Sequence, residues 1–516
     1  MPHSLAAFQQ TYSKLLDLSE RALQRTDLHT AAAYLNAAID LAGTHLWGLI
    51  EDHRVDDLLA RIATAAFGPR HMRLPSRKDS LRLGFVMHAL SETRGGARSF
   101  FHLADGLRRH GYATFVYLLE SRPETQIQQR FAAAGIPIRV IAPRPRLLDR
   151  AADLRRLLAA DNIDVALDYD MGDWFVGLVA LCGGGVPVSI YHHFSDHLFS
   201  AGVHSLDCHL AFRRAGLRSC QDNHETARCQ YLPLPGSDVA TPPTVTNAVR
   251  TELDIPAEAT VSITVTNLNK LADSTIYFEV LDEALQAHPA HHHLLVGGGS
   301  PCWLDFAQQQ VAKLRSAGRF HLLGPRKDVG ALLATSDVFV DSHPIAGYTA
   351  CLEAMQAGLP VLELTLNRPP IFGVADDLAD ARCIAHTKAD FVTLLSQFIT
   401  DPPYRRAVGD DLRTFYQREY APGVVVERYA TFIRQLIAEL QTRAPAPSSN
   451  PTQRFNAPLQ LGNADERQPT DYALDAFGIA GRNHTWVARL TNTRELVQSF
   501  PALWPHRRLW AGLLRG

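Results

Sequence analysis

The sequence predicts an α/β protein in which two doubly wound, parallel-sheet domains follow one another along the chain. Three observations support this prediction. Short apolar runs rich in β-branched residues alternate with amphipathic helical segments, a pattern typical of a parallel sheet covered by helices on both faces. This alternation occurs twice, on either side of a proline-rich stretch. The length of 516 residues also exceeds the usual size of one domain several-fold.

The composition indicates a globular protein and excludes several functional classes. Apolar residues make up 46% of the chain and charged residues 20%, values typical of chains that bury sizeable cores. Because 51 basic residues nearly balance 53 acidic ones, neither nucleic acid nor an anionic membrane is expected as the main partner. The seven scattered cysteines contain no C-x-x-C pair and are predicted to be reduced.

No segment of the sequence predicts export or membrane insertion. The first residues lack the basic segment and long apolar run of a signal peptide. Residues 174–195 carry no formal charge, but three glycines at 183–185 and Pro187 divide them into an apolar helix and a short β-branched run. We therefore expect a soluble, cytoplasmic protein without membrane insertion.

These patterns divide the chain into four regions. Residues 1–78 are expected to form a small helical appendage, since apolar residues recur at helical spacing from 5 to about 67. Rossmann-like domains are predicted for residues 79–235 and 245–442. Residues 443–516 begin near APAPSSNPTQ, a run of disordered composition, and are predicted to form a linker and a tail.

Strand and helix alternate in order through both predicted domains. In the first domain, strands are predicted at 81–88, 112–119, 136–141, 163–170, 186–191 and 207–212, and helices at 98–109, 124–134 and 147–160. In the second, strands are predicted at 260–265, 291–296, 320–324, 337–342 and 359–364, and helices at 274–287, 304–317, 329–334 and 347–357, with more to about 440. Functional residues are expected after the strands, because ligands of such sheets bind at the strands' carboxyl ends.

The stretch 337–364, DVFVDSHPIAGYTACLEAMQAGLPVLEL, carries the strongest signal for a binding site. It predicts a strand, a loop and then a helix, and unpaired backbone N–H groups at a helix start favour a phosphate group. The candidate residues at this helix start are Gly347, Tyr348, Thr349 and Ala350. Glu353 follows on the same helix face, placed to accept hydrogen bonds from ribose hydroxyls. The alternative is a plain strand–loop–helix unit with a solvated Glu353.

Polar residues at strand ends of the first domain are candidates for taking a proton. His88 ends the first strand, and an imidazole accepts a proton near neutral pH. Asp170 ends the strand at 163–170, and His192-His193 ends the next one. The alternative for His88 is a purely structural histidine. The three histidines at 291–293 point to alternate faces of a predicted strand, so metal binding is not expected there.

The run VDSHPIAGYTACLEAMQAGLP resembles, without a gap, the nucleotide-sugar site of the O-GlcNAc transferases and their bacterial relatives. Matching positions are Gly347, Thr349, Ala357, Gly358 and Pro360. Glu353 stands where the family has its ribose-binding aspartate. Tyr348 replaces a histidine and Ala350 a threonine, so one phosphate-contacting hydroxyl is missing.

Two further segments carry the resemblance, which covers about 80–440. TNLNKLADST (266–275) resembles the family's diphosphate-binding segment and places Asn267 and Lys270 beside the nucleotide. A lysine there would stabilise the charge that grows on departing UDP; the alternative is an ordinary exposed lysine. LRLGFVMHALSETRGGARSFF resembles the family's opening strand and loop, in which Gly95-Gly96 either admits a diphosphate close to the backbone or forms a flexible turn.

The resemblance implies the GT-B fold, two Rossmann-like domains facing each other across a cleft, and an inverting glycosyltransferase. The implied donor is a UDP-sugar, UDP-GlcNAc or UDP-glucose, and the implied acceptor is a protein or peptide bound by the first domain. His88 or Asp170 would help to deprotonate the acceptor. No cofactor and no metal are expected. Asp168-x-Asp170 is similar to the D-x-D metal motif of the other main glycosyltransferase fold, but a strand end is predicted there.

Other interpretations stay open. Retaining glycosyltransferases share the ending E-A-M-x-A-G-x-P-V, but their earlier acid would fall on Ile345, which favours inversion. A polysaccharide or glycolipid glycosyltransferase of the same fold is one alternative. A non-catalytic, sugar-nucleotide-binding scaffold is an alternative of another class.

Overall fold

Two parallel sheets form the centres of two α/β domains in this computed structural model, which confirms the predicted fold class. The structure describes residues 5–45, 49–69, 74–75, 80–90, 95–120, 123–169, 174–193, 198–203, 205–223, 229–236, 246–271, 274–366, 368–442, 453–455 and 495–500.

Three helices and a short strand form the N-terminal region. They are α1 (Leu5–Gln24), α2 (Leu28–His45), β1 (Leu49–Asp52) and α3 (His53–Phe67). The apolar faces of the helices share one core with a face of the first sheet. Asp52 caps α3, because its side chain accepts a hydrogen bond from the Arg54 N–H at 2.9 Å. The sequence predicts only helices in this region, so β1 corrects that expectation.

Seven parallel strands form the first sheet. They are β2 (Arg82–Met87), β3 (Ala113–Leu118), β4 (Ile138–Val140), β5 (Val165–Asp168), β6 (Val188–His193), β7 (Cys208–Ala211) and β8 (Cys229–Tyr231). Their spatial order is β4-β3-β2-β5-β6-β7-β8, so the order reverses between β2 and β5. The helices are α4 (Gly95–Arg109), α5 (Thr125–Ala133), α6 (Leu147–Ala160), α7 (Trp174–Leu181) and α8 (Arg214–Asn223). The predictions omit β8 and α8.

Six parallel strands form the second sheet. They are β9 (Thr260–Val265), β10 (His291–Val296), β11 (Phe320–Gly324), β12 (Val338–Val340), β13 (Val361–Leu364) and β14 (Ile384–Ala385). Their order is β11-β10-β9-β12-β13-β14. Because the order reverses between β9 and β12, the crevice at the carboxyl ends of these two strands is the expected ligand site.

Among the described residues from 246 to 442, the chain forms nine helices. They are α9 (Thr246–Glu252), α10 (Ile276–Ala287), α11 (Pro301–Lys313), α12 (Val329–Thr335), α13 (Tyr348–Ala357), α14 (Ala375–Leu378), α15 (Lys388–Thr400), α16 (Pro402–Glu419) and α17 (Pro422–Thr442). The last of these returns to the first domain and packs against α4. A Cβ added to Gly106 of α4 would lie 2.3 Å from Val426, so only glycine permits this approach. The Tyr112 hydroxyl also donates to the Ala430 carbonyl at 3.0 Å.

Two described segments of the C-terminal tail contact the N-terminal region. The strand β15 (Gln453–Phe455) pairs antiparallel with β1. In the segment 495–500, Leu496 and Phe500 are buried in the core that contains α1 and α2. Glu495 pairs with Arg25 of the loop after α1. The sequence assigns no role to the tail, because both of its partners lie far away along the chain.

Cys220 of α8 and Cys229 of β8 form a disulfide, which corrects the prediction that every cysteine is reduced. The two cysteines come together because α8 and β8, neither of them predicted, lie side by side. Where the structure describes the chain, it contains no helix long and apolar enough to span a membrane. The uncharged stretch at 174–193 forms α7 and β6 instead.

Candidate functional site

The loops after β9 and β12 meet at the crevice of the second sheet. The Thr266 hydroxyl donates to the Ser342 hydroxyl at 3.0 Å, and the Ser342 hydroxyl donates to the Ile345 carbonyl at 2.7 Å. Gly297, after β10, allows the third loop to approach them. It has a φ of +148°, and a Cβ there would lie 1.6 Å from the Thr266 carbonyl oxygen. Three loops are therefore fixed against one another at this edge.

Lys270 lies in a 3₁₀ turn, Leu268–Leu271, directly after β9. Its Nζ donates to the carbonyl oxygen of Ala346 at 2.8 Å, and its own carbonyl accepts from the Ile345 N–H at 3.2 Å. The side chain is half-buried, not freely exposed. Burial lowers the pKa of Lys270, while the nearby Asp341 carboxylate acts in the opposite direction. The cation is thus held on the loop that begins α13.

Asp341, directly after β12, holds the loop that begins α13 in position. It is 3% exposed, and its Oδ1 accepts hydrogen bonds from the Gly347 N–H at 2.7 Å and from Cys351 Sγ at 3.5 Å. Burial raises the pKa of this carboxyl group, and the charge of Arg368, with Nη1 at 3.8 Å from Oδ2, opposes that shift. Asp341 therefore fixes the position of the helix start without facing solvent.

Arg368 and Glu363 form a buried ion pair behind the same loop, and sequence reasoning missed both residues. Arg368 also donates from Nη1 to the Ser342 carbonyl at 3.2 Å. Glu363 accepts from the Val374 N–H at 3.1 Å, and burial raises its pKa. The only available signal was an acid inside the apolar strand run LPVLEL, whose partner a single sequence cannot identify.

The four residues predicted at the helix start have different environments. Gly347 precedes α13, and its N–H is taken by Asp341. The Tyr348 side chain is buried, donates to the Phe212 carbonyl at 3.1 Å and thus binds the first domain. Its backbone N–H lies at the first position of α13. Thr349 is half-buried and Ala350 is buried.

Four other predicted binding residues lie on elements that follow strands of the two sheets. Glu353 is buried on α13, with 6% of its surface exposed, so the solvated alternative does not hold. Asn267 is exposed, and its side-chain oxygen accepts from the Asn269 N–H at 3.3 Å. Gly95 and Gly96 are the first two residues of α4, so they belong to a helix start and not to a separate turn.

His88 lies directly after β2, where the strand order of the first sheet reverses. Its Nε2 is 3.0 Å from Glu120 Oε2, and the Glu120 N–H donates to the His88 carbonyl at 3.1 Å. Because Nε2 faces the Glu120 carboxylate, the neutral imidazole carries its proton there, and the nitrogen left to accept a second proton is Nδ1, which is buried. Glu120, which ends the LLE run after β3, was not among the predicted residues. The predicted Asp170 lies outside the described residues.

The histidines on β6 and β10 are buried and form hydrogen bonds inside the protein. His192 is completely buried, its Nε2 lies 2.7 Å from the Tyr429 hydroxyl of α17, and burial lowers its pKa to about 3. His193 is also buried and lies 3.1 Å from the Ser200 hydroxyl. On β10, His291 and His293 share the Ser262 hydroxyl, with both distances 2.8 Å. In the described part of the chain, no three metal-ligating side chains are grouped to hold an ion.

Comparisons with known proteins identify the fold. Residues 93–222, in the first domain, match the family model described as Glycosyltransferase Family 4. No curated protein sequence matches the chain. Among solved structures, HepE of Anabaena in complex with UDP and glucose is 17% identical, with a TM-score of 0.56 over 69% of this chain and 100% of that chain.

Two further structures span similar or larger parts of the chain. An O-GlcNAc transferase variant of Thermobaculum terrenum is 19% identical, with a TM-score of 0.55 over 84% of this chain and 82% of that chain. Sucrose-phosphate synthase of Thermosynechococcus elongatus is 14% identical, with a TM-score of 0.53 over 70% of this chain and 100% of that chain. The chain therefore has the GT-B glycosyltransferase fold, and the resemblance stated from its sequence is confirmed at the level of fold.

Proposed function

We propose that the protein is a glycosyltransferase that moves a hexose from a UDP-sugar to an acceptor hydroxyl. The observation that carries this proposal is the position of Lys270. Its Nζ is bound to the Ala346 carbonyl at 2.8 Å, beside the start of α13 and at the switch point of the second sheet. A cation next to a helix N-terminus is suited to a diphosphate, since both attract anionic oxygens.

The donor assignment rests on the same loops. The backbone N–H groups of α13 beyond Gly347 and the Lys270 cation would hold the diphosphate, with Thr349 and Asn267 at its border. Glu353 would bind the ribose. The names of two neighbours support the choice of base and sugar: HepE of Anabaena was crystallised with UDP-glucose, and the Thermobaculum terrenum protein is an O-GlcNAc transferase. The donor we propose is UDP-glucose or UDP-GlcNAc.

Inversion needs one displacement and no covalent intermediate. The acceptor oxygen would bond to the anomeric carbon as the bond from that carbon to the β-phosphate oxygen breaks, and UDP would leave with the electron pair. The acceptor proton would pass to the neutral imidazole of His88 at Nδ1, and Glu120, paired with Nε2–H, would stabilise the imidazolium. Lys270 would stabilise the growing charge on the β-phosphate, so no metal is required. Asp170 is the alternative base.

The acceptor we propose is a protein or peptide side chain bound by the first domain. The similarity to the O-GlcNAc transferase of Thermobaculum terrenum supports this choice, because it extends over most of both chains. A cytoplasmic location belongs to the proposal as well. The Cys220–Cys229 disulfide makes that location testable, since such bonds are rare in reducing compartments. Alkylation of fresh lysate followed by mass spectrometry would report whether the two thiols are free.

A donor panel tests the whole proposal. Purified protein is incubated with UDP-, GDP- and ADP-sugars, and diphosphate release is measured alone, with peptides and with cell lysate. UDP release that depends on protein acceptors supports the proposal, and glycans or lipids as the labelled products would select the same-fold alternatives. Binding of UDP without any transfer would identify a scaffold. NMR of the new glycosidic bond distinguishes inversion from retention.

A further inference from the structure

Arg213 joins the first domain to the second beside the candidate diphosphate site. It follows β7 and is almost completely buried, with 4% of its surface exposed. Its Nη1 donates to the Gly373 carbonyl at 3.0 Å, and its Nη2 donates to the Ile371 carbonyl at 2.6 Å. Because a guanidinium is a rigid, planar fork, one side chain fixes two carbonyl groups of the second domain at once.

The loop that Arg213 holds is itself bonded to the loop before α13. The Ala346 N–H donates to the Phe372 carbonyl at 2.8 Å. The Ala346 carbonyl in turn accepts from Lys270 Nζ at 2.8 Å. A continuous series of hydrogen bonds therefore runs from a first-domain arginine through two backbone segments of the second domain to Lys270.

Apolar packing makes the same connection. Ala215 of α8, in the first domain, forms a small buried cluster with Ile345, Ile371 and Phe372 of the second. The Tyr348 hydroxyl adds a hydrogen bond to the Phe212 carbonyl, next to Arg213 in sequence. Since close-packed groups cannot shift independently, the two second-domain loops follow the position of the strand end that carries Arg213.

We infer that Arg213 is a positioning residue that couples the arrangement of the two domains to the diphosphate site. It orders the peptide at Ala346 and thereby sets where Lys270 and the start of α13 lie. The ligand of this site, the diphosphate of UDP, rests on the proposed function. The coupling has a chemical consequence, because His88 belongs to the first sheet and Lys270 to the second. A diphosphate would bind best when the two domains already have this arrangement, and its binding would stabilise that arrangement by the same factor.

Three variants of the full chain test the inference. Arg213→Ala removes both hydrogen bonds, and Arg213→Lys keeps the charge without the fork. Arg214→Ala is the matched control. The Arg214 side chain lies 3.4 Å from Glu419, and its contact with Asp377, at 3.1 Å, is made by the backbone N–H, which alanine retains. Amide hydrogen exchange of segment 343–347 is measured without ligand, UDP affinity by calorimetry, and kcat and KM on an accepted donor.

We expect Arg213→Ala to speed exchange at Ala346 and to weaken UDP binding, each by about tenfold. For Arg213→Lys, the exchange rate at Ala346 and the UDP affinity should lie between those of Arg213→Ala and of the wild type, because a single ammonium group does not span both carbonyls. The donor KM should rise more than kcat falls, since a residue that orders the binding loop acts first on affinity. Arg214→Ala should stay within about twofold of the wild type.

Two results would overturn the coupling: wild-type exchange at 343–347 in a folded Arg213→Ala protein, or equal effects in Arg214→Ala. If Arg213→Ala fails to fold, Arg213→Lys decides by the same criteria. Because the exchange measurement needs no nucleotide, it tests the Arg213 coupling independently of the proposed function. A wild type that binds no UDP overturns the proposed function, whereas UDP binding that Arg213→Ala leaves unchanged overturns the inference alone.

Discussion

Lys270 donates a hydrogen bond of 2.8 Å to the carbonyl oxygen of Ala346, so the cation that follows β9 is fixed to the loop that begins α13. The two residues belong to different strand–loop units and meet only because β9 and β12 are neighbours in the sheet. This contact holds a positive charge beside a helix N-terminus before any ligand arrives. A preorganised cation of this kind stabilises a leaving diphosphate without reorganising solvent.

Replacing Lys270 should remove most of the transfer activity. We expect Lys270→Met, which keeps the aliphatic stem, to lower kcat by about 10²–10³ and to weaken UDP binding, as loss of one preorganised donor does. Lys270→Arg should recover little, because a planar fork replaces a compact charge. The measurement is UDP release under saturating donor. Wild-type turnover in Lys270→Met would contradict this role and the resemblance of residues 266–275 to a diphosphate-binding segment.

The nucleotide preference can be measured without an acceptor. UDP should raise the melting temperature of the full chain, because a ligand that binds only the folded state stabilises it by mass action. At a concentration 100 times Kd the gain is about 2.7 kcal/mol. GDP and ADP at equal concentration should shift the midpoint much less. Equal shifts with all three diphosphates would contradict the UDP assignment.

His88 should matter for turnover and not for donor binding. We expect His88→Ala to lower kcat by about 10²–10⁴, as loss of a general base does, with near-normal UDP affinity. His110→Ala is the control, since His110 makes a similar pair with Glu427, also at 3.0 Å, away from the crevice. If His88→Ala turned over normally, the base would be Asp170 or another group of the first domain.

Glu120 should act through His88. Glu120→Gln keeps the shape of the side chain but removes the charge that stabilises the imidazolium, so we expect kcat to fall by about tenfold. The test is a double-mutant cycle with His88→Ala. If Glu120 acts only through the histidine, the double variant should be no slower than His88→Ala itself. Additive losses would show that Glu120 has a separate role.

The ion pair between Arg368 and Glu363 should be costly to break on one side only. Arg368→Met leaves the Glu363 carboxylate buried without its partner, and we expect a loss of about 3–5 kcal/mol in the free energy of unfolding. The double variant Arg368→Met/Glu363→Gln should recover part of this loss, since Glu363 then carries no stranded charge and only the attraction between Arg368 and Asp341 is missing. Denaturant unfolding of the second domain measures both. Equal stability of the single and double variants would contradict the burial of this pair.

Mild acid should destabilise the folded chain through its buried histidines. Burial lowers the pKa of His291 to about 3 and that of His343 to about 4, against about 6.5 in the unfolded chain. Between about pH 4 and 6.5 the unfolded state therefore binds protons that the folded state does not, and stability rises with pH. Each such histidine should contribute about 1.4 kcal/mol per pH unit in this window.

The comparison that checks this is the melting temperature from pH 7.5 to 5.0 for the wild type and for His291→Gln. The variant should start less stable, because it loses the hydrogen bonds to Thr260 and Ser262, both at 2.8 Å. Its stability should nevertheless fall less steeply on acidification. Parallel curves for the two proteins would show that His291 does not titrate during unfolding.

Both sheets were predictable from the sequence because their signal is local. A strand buried on both faces requires a short apolar run, and the connecting helix requires amphipathic spacing, whatever lies elsewhere in the chain. Every strand from β2 to β7 overlaps a predicted strand. The sequence did not predict the strands that are very short or that pair with distant segments, namely β1, β8, β14 and β15. The pairing of β1 with the tail and the return of α17 to α4 are decided by contacts between remote segments.

The α/β class, the tandem arrangement and the helix start proposed to bind a phosphate were predictable from the sequence, since each depends on residues close together in the chain. The sequence also singled out Lys270 and Gly347. Only the tertiary structure placed Arg213, Glu120 and the pair Arg368–Glu363 around these residues. The physical reason is that charge pairing and desolvation depend on which groups meet in space. The chain brings those groups together through the strand order of two sheets and the contact between two domains, which no local spacing encodes.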